Sequence, residues 1–98
     1  MREVTYHIGV LLVQLYIPSA QSLKDKRMIL KSLKDRGVQK FHVSFAELDD
    51  LDKWQSAVYG LTLIGNDNRS LDQCLQSIVS FIQSFRDLEI SDYQISFL

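Results

Sequence analysis

Residues 4–18 read VTYHIGVLLVQLYIP, and this stretch decides the fold class. It is rich in β-branched and aromatic residues and ends at a proline, which predicts a strand over Val4–Ile17. Apolar side chains occupy both of its alternating sets of positions. The even-numbered set includes Ile8, Val10 and Leu12. A strand that is apolar on both faces is typical of the centre of a sheet.

The rest of the chain alternates helical and extended patterns. Ser22 predicts the start of a helix, since its hydroxyl can accept a hydrogen bond from the backbone of Asp25, and Gly37 predicts a left-handed end. A second, strongly amphipathic helix is predicted over Leu71–Phe85, capped by residues 66–68. The further predicted strands are Lys40–Leu48, Trp54–Ile64 and Leu88–Leu98, and the polar loop 49–52 joins the first two of these.

This element order predicts one α+β domain over residues 1–98. We expect a ferredoxin-like βαββαβ sandwich, with two helices on one face of a four-stranded antiparallel sheet. Right-handed crossovers place the first and third strands in the centre. The other face has no helices. Its apolar residues Ile8, Val10 and Leu12 therefore predict an interface, either with a second copy in a homodimer or with a flat apolar partner.

Composition restricts the function further. The chain has 98 residues, of which 46% are hydrophobic and 23% charged, and this excludes a disordered polymer. Its single cysteine, Cys74, excludes an internal disulfide. No apolar run approaches the roughly 20 residues of a membrane helix, and the N-terminus has no signal-peptide pattern. We therefore expect a cytoplasmic protein with no membrane contact.

The formal net charge of -1 excludes a generally basic nucleic-acid binder, but it hides an uneven distribution. Residues 24–40 contain seven of the eleven Lys and Arg and only two of the twelve Asp and Glu. On a helix, four of these cations share one narrow sector beside the leucine face. They are Lys24, Arg27, Lys31 and Lys34. They can contact the phosphates of RNA. The alternative is a solvated face whose aliphatic stems cover the edge of the core.

Lys26 lies apart from that sector, on the leucine side of the first turn. This position also fits pairing with an acid of the neighbouring loop. The full set of predicted nucleic-acid-binding residues is Lys24, Lys26, Arg27, Lys31 and Lys34.

No catalytic, cofactor or metal motif is present. The acidic loop 49–52 lacks the glycine and the spacing of a Ca²⁺ loop, and His7 and His42 have too few partners for a zinc site. We therefore predict no catalytic residues, no metal, no cofactor and no small-molecule ligand, and we do not expect an enzyme.

Aromatic residues offer one further test of an RNA role. An RNA-recognition domain of this architecture stacks bases on aromatics of its two central strands, where this chain offers Tyr6, Tyr16 and Tyr59. The aromatic-rich signature of such domains is missing, so the open face suits protein contact better than base stacking. Trp54 is expected in the core or in an interface.

Several separated segments resemble the YlxP-like family, the small bacterial proteins of domain-of-unknown-function family 503. They are SLKDKR at 22–27, LKSL at 30–33, FHVSFAE at 41–47, WQSAV at 54–58 and ND at 66–67. The resemblance runs in order over nearly the whole chain. It implies a ferredoxin-like fold and supplies no catalytic residues. Because genes of the family often lie among those of translation and ribosome-maturation factors, it also implies an association with RNA or the ribosome.

The sequence thus leaves two hypotheses. The first is a non-catalytic module that contacts RNA or a ribosomal particle through a basic first helix. The alternative is a homodimeric protein-interaction module that uses its apolar open sheet face and has no nucleic-acid role.

Overall fold

A computed structural model describes all 98 residues and has the predicted βαββαβ order. The elements are β1 (His7–Tyr16), α1 (Leu23–Phe41), β2 (Ala46–Asp49), β3 (Ser56–Gly65), α2 (Asn68–Gln83) and β4 (Glu89–Phe97). Neither helix is long and apolar enough to cross a membrane.

The four strands form one antiparallel sheet in the order β2-β3-β1-β4, so the predicted central position of β1 and β3 is confirmed. β1 pairs along its whole length with β3, from His7 opposite Gly65 to Tyr16 opposite Ser56. The odd-numbered residues of β1 after Gly9 join residues of both helices in one buried core. The sheet therefore has one face covered by helices and one open face, as the ferredoxin-like prediction requires.

The start of α1 is confirmed and its predicted end is wrong. The Ser22 hydroxyl accepts from the backbone N–H of Asp25 at 3.0 Å. The helix does not stop at Gly37 but continues to Phe41, and His42 takes the left-handed conformation at φ 57°. Gly37 is buried, and a β-carbon built there would overlap the ring of Phe45. This glycine serves close packing rather than chain reversal.

The longer helix shortens the second strand. The predicted strand over Lys40–Leu48 is observed only at Ala46–Asp49, because α1 includes Lys40 and Phe41. The predicted alternation still holds in the burial of Val43 and Phe45, although neither lies in a strand.

The other element boundaries differ by a few residues. β1 begins at His7 rather than Val4, because residues 4–6 pair with no other strand. α2 begins three residues earlier than predicted, since the Asp67 carboxylate accepts from the N–H groups of Arg69 and Ser70.

Replacing Gly37 by alanine tests the packing role. We expect Gly37→Ala to destabilise the fold, because overpacking a core costs about 1–3 kcal/mol, whereas alanine gains only about 1 kcal/mol over glycine inside a helix. Urea unfolding followed by circular dichroism measures the difference. Gln39→Ala, at an exposed position of the same helix, is the control and should be neutral or slightly stabilising. Equal or higher stability of Gly37→Ala would contradict the packing role.

Candidate functional site

Lys26 carries its charge into the interior of the protein. Its side chain is 0% exposed, and its Nζ donates to the carbonyl oxygens of Asp50 at 2.7 Å and Lys53 at 2.8 Å. The same nitrogen lies 3.2 Å from Glu47 Oε2. Lys26 therefore pairs with an acid, as predicted. The acid is Glu47 of β2, however, and the neighbouring loop contributes carbonyls instead. The inclusion of Lys26 among the nucleic-acid contacts is wrong, because burial removes its ammonium from solvent.

Glu47 is shared between two cations of α1. Its side chain is 11% exposed, and its Oε1 lies 2.5 Å from an Nη of Arg27. Its Oε2 is in ionic contact with Lys26 but accepts no hydrogen bond. Arg27 also donates to the carbonyl of Leu51 at 3.2 Å. The first turns of α1 therefore hold both β2 and the loop that follows it.

The acidic loop forms a tight turn. Asp50 adopts a left-handed conformation at φ 61°, which aspartate tolerates better than most residues. The N–H of Lys53 donates to the Asp50 carbonyl at 3.0 Å, and the Lys53 ammonium lies 3.2 Å from the Asp50 carboxylate. The hydrogen bond from Lys53 holds the pKa of Asp50 below its usual value. Asp50 thus serves local backbone structure.

The remaining predicted cations stay at the surface of α1. Lys24 is exposed and Lys34 half-buried, and neither takes part in any of the four ion pairs. Lys31 pairs with Asp35 at 2.6 Å, with both side chains largely exposed. Arg27 keeps 50% of its side chain exposed. All four are therefore accessible to an anion.

Three of these cations border one cavity. Arg27, Lys31 and Lys34 line a depression of about 310 Å³ between α1 and the edge of the sheet. Glu47 and Tyr59 line it from the sheet side, and Lys24 lies outside it. The structure therefore brings most of the predicted cationic set together.

Tyr59 lies on the covered face of the sheet, so its suggested place among base-stacking aromatics of the open face is wrong. It is 2% exposed and stacks on Phe45 with ring centroids 6.3 Å apart. Burial and the negative charge of Glu47 raise the pKa of Tyr59 to about 12. The phenol is therefore neutral at physiological pH. Its odd-numbered position among apolar residues of β3 is the sequence signal that could have placed it.

The open face carries the three residues predicted to form an interface. Ile8, Val10 and Leu12 stand opposite Ile64, Thr62 and Gly60, and directly opposed residues of antiparallel strands share a face. Leu12 and Leu48 lean over Gly60, where a β-carbon would come within 3.1 Å and 2.7 Å of their methyl carbons. We call the resulting surface the apolar sheet patch. It consists of Ile8, Val10, Leu12, Leu48, Val58 and Ile64.

Comparisons with known proteins give a family and one solved structure of similar fold. A family model described as "Protein of unknown function (DUF503)" matches residues 8–95. The chain is 34% identical over 82 residues to "Uncharacterized protein YlxP" of Bacillus subtilis (strain 168), which covers 84% of this chain and 89% of that protein. Among solved structures, the de novo designed protein Foldit4 is similar with a TM-score of 0.51 and 10% identity, over 96% of this chain and 97% of its own. This last likeness shows the fold alone.

Removing the Lys26 charge tests its structural role. We expect Lys26→Met to destabilise the protein by about 3–5 kcal/mol, because it leaves a buried carboxylate oxygen without its cation and removes a hydrogen bond from each of two carbonyls. Lys31→Met is the control, since an exposed ion pair contributes only about 0–1 kcal/mol. Urea unfolding of both variants gives the comparison. Similar losses for the two would show that Lys26 has no special role.

The raised pKa of Tyr59 predicts a pH dependence. Because the folded-state pKa of about 12 lies above the ordinary value of 10.0, the stability that this group contributes is present below pH 10 and is lost as pH rises through 12. Tyr59→Phe should therefore lose less stability than the wild type over this window. Tyr6→Phe changes a tyrosine that is 62% exposed and should follow the wild type. Parallel curves for the wild type and Tyr59→Phe would contradict the assignment.

Proposed function

The chain belongs to the DUF503 family of proteins of unknown function, and we propose that it is a non-catalytic module that binds the phosphate backbone of RNA, free or in a ribosomal particle, through α1. One observation carries the proposal. Four accessible cations, Lys24, Arg27, Lys31 and Lys34, lie on α1, and three of them border one cavity.

The ion pairs of this surface do not prevent phosphate binding. Lys24 and Lys34 have no acidic partner to displace. The pair of Lys31 with Asp35 is solvent-exposed, so a phosphate can replace the carboxylate at small cost. The guanidinium of Arg27 is held by Glu47 and the Leu51 carbonyl, and half of its side chain remains accessible. A fixed guanidinium loses little conformational entropy when it binds an anion.

The charge of the rest of the molecule also favours RNA binding at α1. Outside residues 24–40, ten Asp and Glu face only four Lys and Arg. A negative remainder repels phosphates, and a cationic helix attracts them, so the field of the whole protein favours approach to α1. Flexible lysine side chains contact phosphates without reading base sequence. The proposal is therefore binding to the RNA backbone, with strong dependence on salt.

Charge reversal on α1 tests the proposal. We expect Lys24→Glu combined with Lys34→Glu to weaken binding to a fluorescent single-stranded oligouridylate, measured by anisotropy over a salt series. Loss of two phosphate contacts should flatten the slope of log K against log salt by about 1.4. The control, Arg69→Glu combined with Arg86→Glu, makes the same change in net charge at exposed positions outside α1.

Two outcomes would contradict RNA binding by α1. One is an equal effect of the two double variants, which would show that binding depends on the net charge of the protein and not on α1. The other is an absence of salt-dependent binding by the wild-type protein, both to the oligonucleotide and to ribosomal subunits sedimented at two salt concentrations.

The apolar sheet patch favours a second candidate function, homodimeric assembly. Its six residues include no charge, and they form a continuous surface over β1, β2 and β3. A second copy of the patch is a suitable partner because no like charges would meet within it. Light scattering over a range of concentrations tests this function. A molar mass of two chains in the wild type that falls to one chain in Leu12→Arg would support it, and a strictly monomeric wild type would exclude it.

A further inference from the structure

A depression of about 770 Å³ lies where β1 ends and β3 begins. One wall is the connection from β1 to α1, which includes Ala20 and Gln21. The other is the segment Asp52–Ser56, which leads into β3. Its volume lies within the range of about 300–1,000 Å³ that is usual for small-molecule sites.

Two aromatic rings border this depression, which we call the aromatic cavity. Tyr16 is 42% exposed and Trp54 is 54% exposed. The sequence predicts Trp54 either in the core or in an interface, and its exposure excludes the core. Neither ring stacks on another aromatic ring of the protein. Large exposed aromatic rings beside a depression are typical of surfaces that bind a flat apolar ligand.

The walls of the aromatic cavity are held in fixed positions. Gln55 Nε2 donates to the carbonyls of Pro18 and Ala20, each at 3.1 Å, and the Gln55 carbonyl accepts from the N–H of Ile17 at 2.8 Å. The ammonium of Lys26 binds the carbonyl of Lys53, next to Trp54. The segment that carries Trp54 is therefore fastened to α1 and to the end of β1. A site that is already formed loses little entropy when its ligand binds.

Polar groups complete the lining. Asp52 supplies carboxylate acceptors, Lys53 and Gln21 supply donors, and the Ser56 hydroxyl can do either. A nucleobase has this combination of a flat aromatic face and an edge of donors and acceptors. The carboxylate of Asp52 disfavours a phosphate inside the cavity but accepts hydrogen bonds from a base. The exposed cation Lys24 lies in the first turn of α1, just after this wall.

We propose that the aromatic cavity holds one unpaired base of single-stranded RNA, stacked on Trp54 or Tyr16, while the adjoining phosphates lie along α1. This inference rests on the proposed function, since it assumes that RNA lies on the cations of α1. The inference specifies in addition that the bound RNA is single-stranded. Bases of a duplex are stacked on one another and cannot enter, so the site selects single strands.

The only tryptophan of the chain reports directly on this site, because it is Trp54 itself. We expect its fluorescence to be quenched on titration with a single-stranded oligoadenylate. A duplex RNA of the same length and an abasic oligomer with the same number of phosphates should bind α1 without quenching. These probes separate stacking of a base from attraction of the backbone.

Variants give an independent measure. Trp54→Ala should weaken binding of labelled oligoadenylate about tenfold, which is within the usual effect of removing one stacking ring, and should leave affinity for the abasic oligomer unchanged. Tyr16→Leu keeps the fluorescent reporter and should reduce the affinity for oligoadenylate. Tyr6→Leu, at an exposed tyrosine that does not line the cavity, is the control. Circular dichroism confirms that each variant is folded.

The outcomes distinguish this inference from the proposed function. Salt-dependent binding of all three probes without any quenching, and with no effect of Trp54→Ala, would overturn base stacking and leave backbone binding intact. If none of the three probes binds, both the base-stacking inference and the proposed function are overturned. Quenching by an aromatic peptide but not by oligoadenylate would assign the cavity to a protein partner and overturn the inference.

Discussion

The contact of the Lys26 ammonium with three oxygen atoms is the interaction that organises one end of the molecule. A charge buried without partners is among the most unfavourable groups in a folded protein. The fold satisfies this charge with the carbonyls of Asp50 and Lys53 and with the carboxylate of Glu47. These oxygens come from β2 and from the loop after it, so the helix, the edge strand and the loop must be placed together.

The contacts of Lys26 also position residues of both proposed binding surfaces. Because Glu47 is held by Lys26, its second oxygen is available to orient Arg27 at the border of the cavity that Lys31 and Lys34 also line. Because the carbonyl of Lys53 is held as well, the next residue, Trp54, is fixed at the rim of the aromatic cavity. A single buried lysine thus helps to position both Arg27 and Trp54, although its own side chain has no contact with solvent.

The two faces of the sheet have different properties for physical reasons. The face covered by α1 and α2 buries the odd-numbered residues of β1 and the phenol of Tyr59. The open face has the apolar sheet patch, while Asp49 and Asp92 stand opposite Val58 and Gln14 at its margin. Acids at this margin disfavour phosphate, whereas α1 attracts it. The cations of α1 and the apolar sheet patch therefore lie on opposite faces of the sheet.

Local patterns predicted the parts of the structure that depend on neighbours in sequence. Alternating and helical hydrophobicity gave the element order, and the need for right-handed crossovers gave the central place of β1 and β3. The Ser22 cap is predictable because its partner, the N–H of Asp25, is three residues away. The role of Gly37 is not predictable in this way, because a glycine can serve either a turn or close packing, and the ring that explains it belongs to Phe45, outside the helix.

The sequence by itself determined the fold, the uneven charge of α1 and the apolar character of β1, because each is a property of a short segment. Only the tertiary structure decided which cations are free. Lys26 and Lys24 are two residues apart and chemically identical, yet one is buried and the other exposed. The difference arises because the partners of Lys26 are 21 to 27 positions away in the chain. The tertiary structure also brings Tyr16 and Trp54 to one cavity, although they are far apart in the chain.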